Sequence, residues 1–228
     1  MSRTSNLTNR LTSNQKRFFA ELIGTFVIVV FATGSVVLDT KYAGTFGLWF
    51  VALAPAIAVA LVVYAFGKIS MAHFNPAVTI GFLITKHMPK NLLLLYFAAE
   101  IIGALLASVF VKYVVGTEAN LGANAPNYHF PILLIVGVEV LATALLMVVI
   151  LVVVHTKGLG GFGGIAIGGM IGLDIFFLAF ISGASMNPAR SLAPALLSDH
   201  LHDLWLYWTA TFIGSGIVSN IYRRKFVK

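Results

Sequence analysis

The 228-residue chain is 59% hydrophobic and only 10% charged, with a mean hydropathy of +0.93 and a net charge of +7. That composition excludes an ordinary soluble domain and defines an all-α, polytopic membrane protein. The chain contains no cysteine, which excludes disulfides and thiol chemistry.

Residues 1–17, rich in Ser, Thr and Asn, read as a disordered cytoplasmic tail. Six apolar windows follow, at 18–38, 46–66, 92–115, 131–154, 159–181 and 204–221, and each approaches or exceeds the ~20 residues that cross hydrocarbon. None alternates in the manner of barrel strands. The first is too long for a signal-peptide core and lacks a cleavage site, so it is expected to remain as an anchor. A membrane domain over 18–222 and a basic cytoplasmic tail at 223–228 complete the division.

The basic residues are placed unevenly. Arg3, Arg10, Lys16 and Arg17 precede the first window, and Lys68, Lys86 and Lys90 follow the second. Lys157 lies between the fourth and fifth, and Arg223, Arg224, Lys225 and Lys228 follow the last. Those twelve of fifteen fall on one side, leaving Lys41 and Lys112 on the other and Arg190 within apolar sequence. The positive-inside rule puts both termini in the cytoplasm. The charge therefore reports topology, and no nucleic-acid partner is expected.

Asn75-Pro76-Ala77 and Asn187-Pro188-Ala189 are two copies of a helix start: Asn caps free N–H groups, and Pro at the first helical position loses no donor. The apolar runs they open end by Lys86 and Asp199, too soon to span a bilayer. The copies lie 112 residues apart, and Glu21-x-x-x-Thr25 recurs 118 residues on as Glu139-x-x-x-Thr143. Ile102-Gly103-Ala104 is echoed by Ile213-Gly214-Ser215. Two repeats, about 18–115 and 131–222, are thus joined by the loop 116–130. Three spans per half, an odd number, invert the second half. The short helices then enter from opposite sides and meet near the midplane, where irregular backbone is tolerated because it lines a cavity.

These residues carry a resemblance. Ala20-Glu21-Leu22-Ile23-Gly24-Thr25, the stretch 67–81 with His73-Phe74-Asn75-Pro76-Ala77-Val78-Thr79, and 182–191 with Asn187-Pro188-Ala189-Arg190-Ser191 resemble the aquaporin, or major intrinsic protein, family. The likeness runs over essentially the whole chain. It implies six transmembrane helices plus two re-entrant half-helices, and a passive pore for water or small neutral solutes. It also implies one pore per subunit of a homotetramer in the cell membrane, surrounded by lipid. No cofactor is expected. No nucleophile–base pair, phosphate loop or metal cluster is legible, so an enzyme is not expected either.

Asn75 and Asn187 are expected to donate hydrogen bonds to a passing water where two positive helix ends meet. Glu21 and Glu139 are expected to accept hydrogen bonds from the loops before the short helices, because isolated buried carboxylates are costly. The resemblance places Arg190 in an outer selectivity filter and His73 on the inner vestibule wall. Glu100 reads as solvated or paired. Asp174 is open between pairing with Lys112, facing the pore and lying at a subunit interface. Gly24, Gly103, Gly214 and the glycine run 160–172 read as close helix contacts.

Spacing from the motifs carries the other filter positions onto Pro55, Ile175 and Ala184. Pro55 removes a helical hydrogen bond to Val51, and a bend there could substitute Ala54 or Ala56. A slip in the fifth helix would bring in Asp174 or Phe176. The resulting filter is wider and more apolar than a water-only one, which implies water with leakage of ammonia or glycerol. Ser191, Ala195, Tyr207 and Trp208 match water channels. A glycerol-selective facilitator is the alternative, and an ion-coupled transporter is the alternative of another class.

Overall fold

A computed structural model describes residues 11–156 and 158–227. Arg3, Arg10, Lys157, Lys228 and most of the tail 1–17 lie outside the described residues. Helix α1 spans Ser13–Lys41, starting ahead of the apolar window. The reason is local: Thr12 accepts from the Gln15 backbone while the Gln15 side chain accepts from the Thr12 N–H at 2.8 Å, a reciprocal cap.

The chain continues through α2 (Gly47–Ser70), the short α3 (Pro76–Ile84) and α4 (Leu93–Phe110), which a π turn at Val111–Val115 prolongs. A single left-handed turn, α5 (Glu118–Gly122), opens the central loop, with φ of 46–59° at Ala119, Asn120 and Leu121. The second half runs α6 (Ile132–His155), α7 (Gly163–Ser182), the short α8 (Pro188–Leu197) and α9 (Leu204–Phe226). Among the described residues there is no strand.

Among the described residues, five segments can cross a membrane by length and composition: α1, α2, Lys90–Val115 around α4, α6 and α7. The 23-residue α9 is long enough and uncharged until its last turn, but it is less apolar than the others, with Tyr207, Thr209, Thr211, Ser215, Ser219 and Asn220 along its length. Its place in the fold is that of α4 in the first half. In one half α1 packs on α2 and α4; in the other α6 packs on α7 and α9. Across the halves α2 packs on α7, α3 on α9 and α8 on α4. Exchanging the halves reproduces that contact pattern, as an internal two-fold requires. Each short helix is thus clamped by the last long helix of the other half.

Close approach at glycine makes this packing possible. A Cβ on Gly103 would lie 2.4 Å from the Leu22 carbonyl, and one on Gly214 would lie 2.4 Å from the Val140 carbonyl. The same device therefore locks α4 onto α1 and α9 onto α6. Leu94 and Leu133 are 80% and 83% exposed, an apolar surface unsuited to water.

Candidate functional site

The site grows from two loops that reach the middle of the bundle. Before α3 the backbone turns left-handed at Met71, Ala72 and Phe74; before α8 it does so at Gly183, Ala184 and Met186. Such conformations are costly for non-glycine residues and persist only where the surroundings hold them. Two buried carboxylates do so. Glu21 accepts from the N–H groups of His73 and Phe74 at 3.0 and 2.6 Å. Glu139 accepts from Ser185 and Met186 N–H at 3.2 and 2.6 Å, and from the Ser182 hydroxyl at 2.9 Å. Tyr96 and Tyr207 brace the loops in parallel, each hydroxyl donating at 2.7 Å to the carbonyl of Ser70 or Ser182.

Each loop ends on its capping Asn in extended backbone, with Pro76 or Pro188 at the first helical position. Asn75 Oδ1 accepts from Ala77 N–H at 2.9 Å, and Asn187 Oδ1 from Ala189 and Arg190 N–H at 3.0 and 3.3 Å. The amide nitrogens cross between the halves. Asn75 Nδ2 donates to the Met186 carbonyl at 2.7 Å, and Asn187 Nδ2 donates to the Phe74 carbonyl at 2.9 Å. Each amide keeps a second N–H. The exchange also fixes the two helix N-termini against one another, each worth roughly +0.5 charge.

Asn75, Asn187, His73 and Arg190 line one cavity of about 60 Å³. About 10–15 Å³ holds one water, so this is room for a short file. The rest of its lining is mainly aliphatic, including Ile28, Val59, Ile167 and Ile171. Pro55, Ile175 and Ala184 line the same cavity. The register alternatives go elsewhere. Ala54 lines a groove towards α1, Ala56 meets Gly168 and Gly172 of α7, and Phe176 stacks on Trp49 at 4.4 Å. Pro55 leaves α2 unbroken.

A second cavity of about 170 Å³ continues past Ile175, Ala184 and Arg190, with Val51 and Asn124 on its wall. Asn124 is the functional residue that sequence reasoning missed. Its Oδ1 accepts from Arg190 Nη1 at 2.5 Å and from the Ser191 hydroxyl at 2.9 Å, while its Nδ2 donates to the Gly183 carbonyl at 2.8 Å. Asn124 follows α5, which packs on α1 and α8 and so sets the central loop over the arginine. Further along the loop the Tyr128 hydroxyl donates to Asp203, which pushes the phenol up to about 12. Three asparagines at 120, 124 and 127 were the sequence signal, and nothing in their spacing pointed to Arg190.

Several expectations need adjusting. His73 lines the cavity, but its ring is wedged between Phe82 and Tyr96, 4.5 Å from each, with Nδ1 2.8 Å from Thr79 Oγ1. Glu100 is not solvated: it is fully buried and accepts from Thr79 Oγ1 at 2.6 Å. Asp174 does not pair with Lys112, whose ammonium donates to the Leu197 carbonyl at 3.1 Å. Asp174 is 3% exposed and is not among the residues lining the cavity, so neither the pore nor a subunit surface accounts for it. Among the described residues no three metal-ligating side chains come together.

Two inverted helix ends, crossed asparagines and a tethered arginine around a water-sized passage define a membrane channel of the inverted-repeat class. The model of the major intrinsic protein family matches residues 8–222, and the chain belongs to that family of passive channels, which are not enzymes. It is 37% identical to aquaporin NIP3-1 of Arabidopsis thaliana over 94% of this chain and 69% of that protein. It is 36% identical to the probable aquaporin NIP4-2 of the same plant, over 91% and 75%. The solved aquaglyceroporin of Plasmodium falciparum shares the fold with a TM-score of 0.80 at 22% identity, covering 94% of this chain and 97% of that one.

Proposed function

We propose that the chain is a passive channel that conducts water and leaks small neutral solutes such as ammonia and glycerol. The observation that carries this is the pair of crossed amides, Asn75 and Asn187, in the wall of a cavity only a few waters in size. Two helix N-termini and the Arg190 guanidinium surround the passage with positive potential, which repels cations, a migrating proton included, and lets neutral molecules through. The plant relatives named aquaporins support the reading of water. A transporter coupled to ions would need an acidic site in the passage, and Asp174 is not there.

The filter is Pro55, Ile175, Ala184 and Arg190, apolar apart from one cation. A site without a second polar partner discriminates weakly against solutes that cannot satisfy a polar ring. The test is stopped-flow swelling of proteoliposomes with wild type against Pro55→Phe combined with Ile175→His. The double variant should keep water flux and lose glycerol flux. A wild type that excludes every solute larger than water, or a double variant no narrower, removes this filter reading. The proposal extends to a homotetramer in the cell membrane with both termini cytoplasmic; the placement of twelve basic residues on one side supports the orientation.

A further inference from the structure

The last turns of α6 and α9 enclose a groove that the passage does not use. Its volume is about 270 Å³, and its character changes along its length. Val148, Val152, Val218 and Ile221 line an apolar stretch, while His155, Thr156, Tyr222 and Lys225 line the stretch nearer the helix ends. Val152 and Ile221 are 50% and 52% exposed, so the bundle itself leaves them uncovered. The polar end is braced. The Tyr222 hydroxyl lies 2.9 Å from His155 Nδ1, and the rings of Tyr222 and His155 pack on Phe226 at 5.1 and 5.0 Å. Charge at this end is unbalanced. Arg223, Arg224 and Lys225 occupy the last turn of α9, all exposed. Among the described residues the one ion pair is His202–Asp203, at the opposite end of the same helix. No carboxylate therefore answers these three cations. The carbonyl ends of two helices, each worth roughly −0.5 charge, offset only part of the surplus.

We propose that this groove seats one phospholipid with an anionic headgroup, its phosphate at Lys225 and Thr156 and an acyl chain along Val148, Val152, Val218 and Ile221. The inference goes beyond the channel reading and does not depend on it. The fit lies in the order of polarity along the helix axes. Val148 stands seven residues, about two turns, inside the end of α6 at His155, and the cations stand at the end of α9. A phospholipid presents the same order, hydrocarbon inward and charge at the interface. The apolar stretch by itself would accept any lipid. The uncompensated cations select the headgroup, because a basic residue at the membrane surface favours anionic over zwitterionic lipid. A soluble partner suits the groove poorly, since its apolar part continues into a helix long and apolar enough to cross a membrane.

The test is native mass spectrometry of the full chain in detergent, titrated with phosphatidylglycerol or with phosphatidylcholine of the same acyl chains. Wild type should bind phosphatidylglycerol several-fold more tightly. Lys225→Gln should weaken that binding roughly fivefold, the worth of one basic residue beside an anionic headgroup, and leave phosphatidylcholine unchanged. Lys225→Arg should restore it. Val152→Trp fills the groove without changing charge and should weaken both lipids; if it does not assemble, Ile221→Trp decides in its place. Lys90, an exposed cation just before α4 that does not line the groove, is the control, and Lys90→Gln should change neither lipid. Equal affinity for the two lipids overturns the headgroup assignment. A loss in Lys90→Gln as large as that in Lys225→Gln reduces the effect to diffuse attraction, and binding untouched by the tryptophan removes the groove. Full displacement by glycerol phosphate makes this a free-anion site, and binding lost when chains assemble makes the groove a contact between copies; either result overturns the proposal.

Discussion

At the scale of single residues, the arginine in the passage is not free to choose its position. Arg190 is 9% exposed, and its guanidinium is tied to Asn124, which in turn holds Ser191 and the Gly183 carbonyl. Asn124→Ala removes all three bonds at once. It should cost about 1–3 kcal/mol of stability and let the arginine swing, because a buried donor left unpaired carries its full desolvation penalty. The expected readout is a glycerol-to-water permeability ratio that rises several-fold; an unchanged ratio in folded variant would sink the tether. Sequence alone exposed Asn187 because its partners are the next two residues but one. It hid Asn124 because the bonds to Arg190 span 66 residues, a distance over which no local pattern survives. Glu100 was hidden for a related reason: its burial is decided by Thr79 on another helix.

At the scale of elements, the half-helices owe their position to packing as much as to caps. Gly214 lets α9 touch the α6 backbone, and the Ser215 hydroxyl beside it donates to the Ala77 carbonyl of α3 at 2.6 Å. A methyl group on Gly214 must displace a carbonyl and neighbouring backbone, so Gly214→Ala should cost about 1–3 kcal/mol. Gly216 on the same helix has open space around its missing Cβ. Gly216→Ala should therefore stay within about 0.5 kcal/mol of wild type. Thermal unfolding in detergent checks the contrast, and equal shifts would refute the contact. Most elements were legible as apolar windows, and the short helices as Asn-Pro starts. The beginning of α1 was less so, because the polar composition of 1–17 outweighs one reciprocal cap at Thr12 and Gln15. The left-handed turn α5 had no signature, since Ala119 and Leu121 are unusual residues for positive φ.

At the scale of the molecule, the two halves are one design used twice with its ends exchanged. The internal two-fold brings α3 and α8 together, and the carboxylates Glu21 and Glu139 hold equivalent loops in equivalent strain. Parity of the spans made this inversion readable before any coordinate. The homotetramer belongs to the same scale and rests on the family. Mass measurement of the detergent-solubilised protein should give four chains, and a stable monomer or dimer would contradict it.

The most direct test of the central claim compares water and proton flux through wild type, Asn75→Asp and Asn187→Asp in proteoliposomes with no ion gradient. Wild type should accelerate swelling without any proton leak, because the facing helix ends reject cations while passing water. Either Asp variant should admit protons and sodium, since its carboxylate cancels the positive potential at the crossing. Swelling that needs an ion gradient, or folded Asp variants as proton-tight as wild type, would contradict the account.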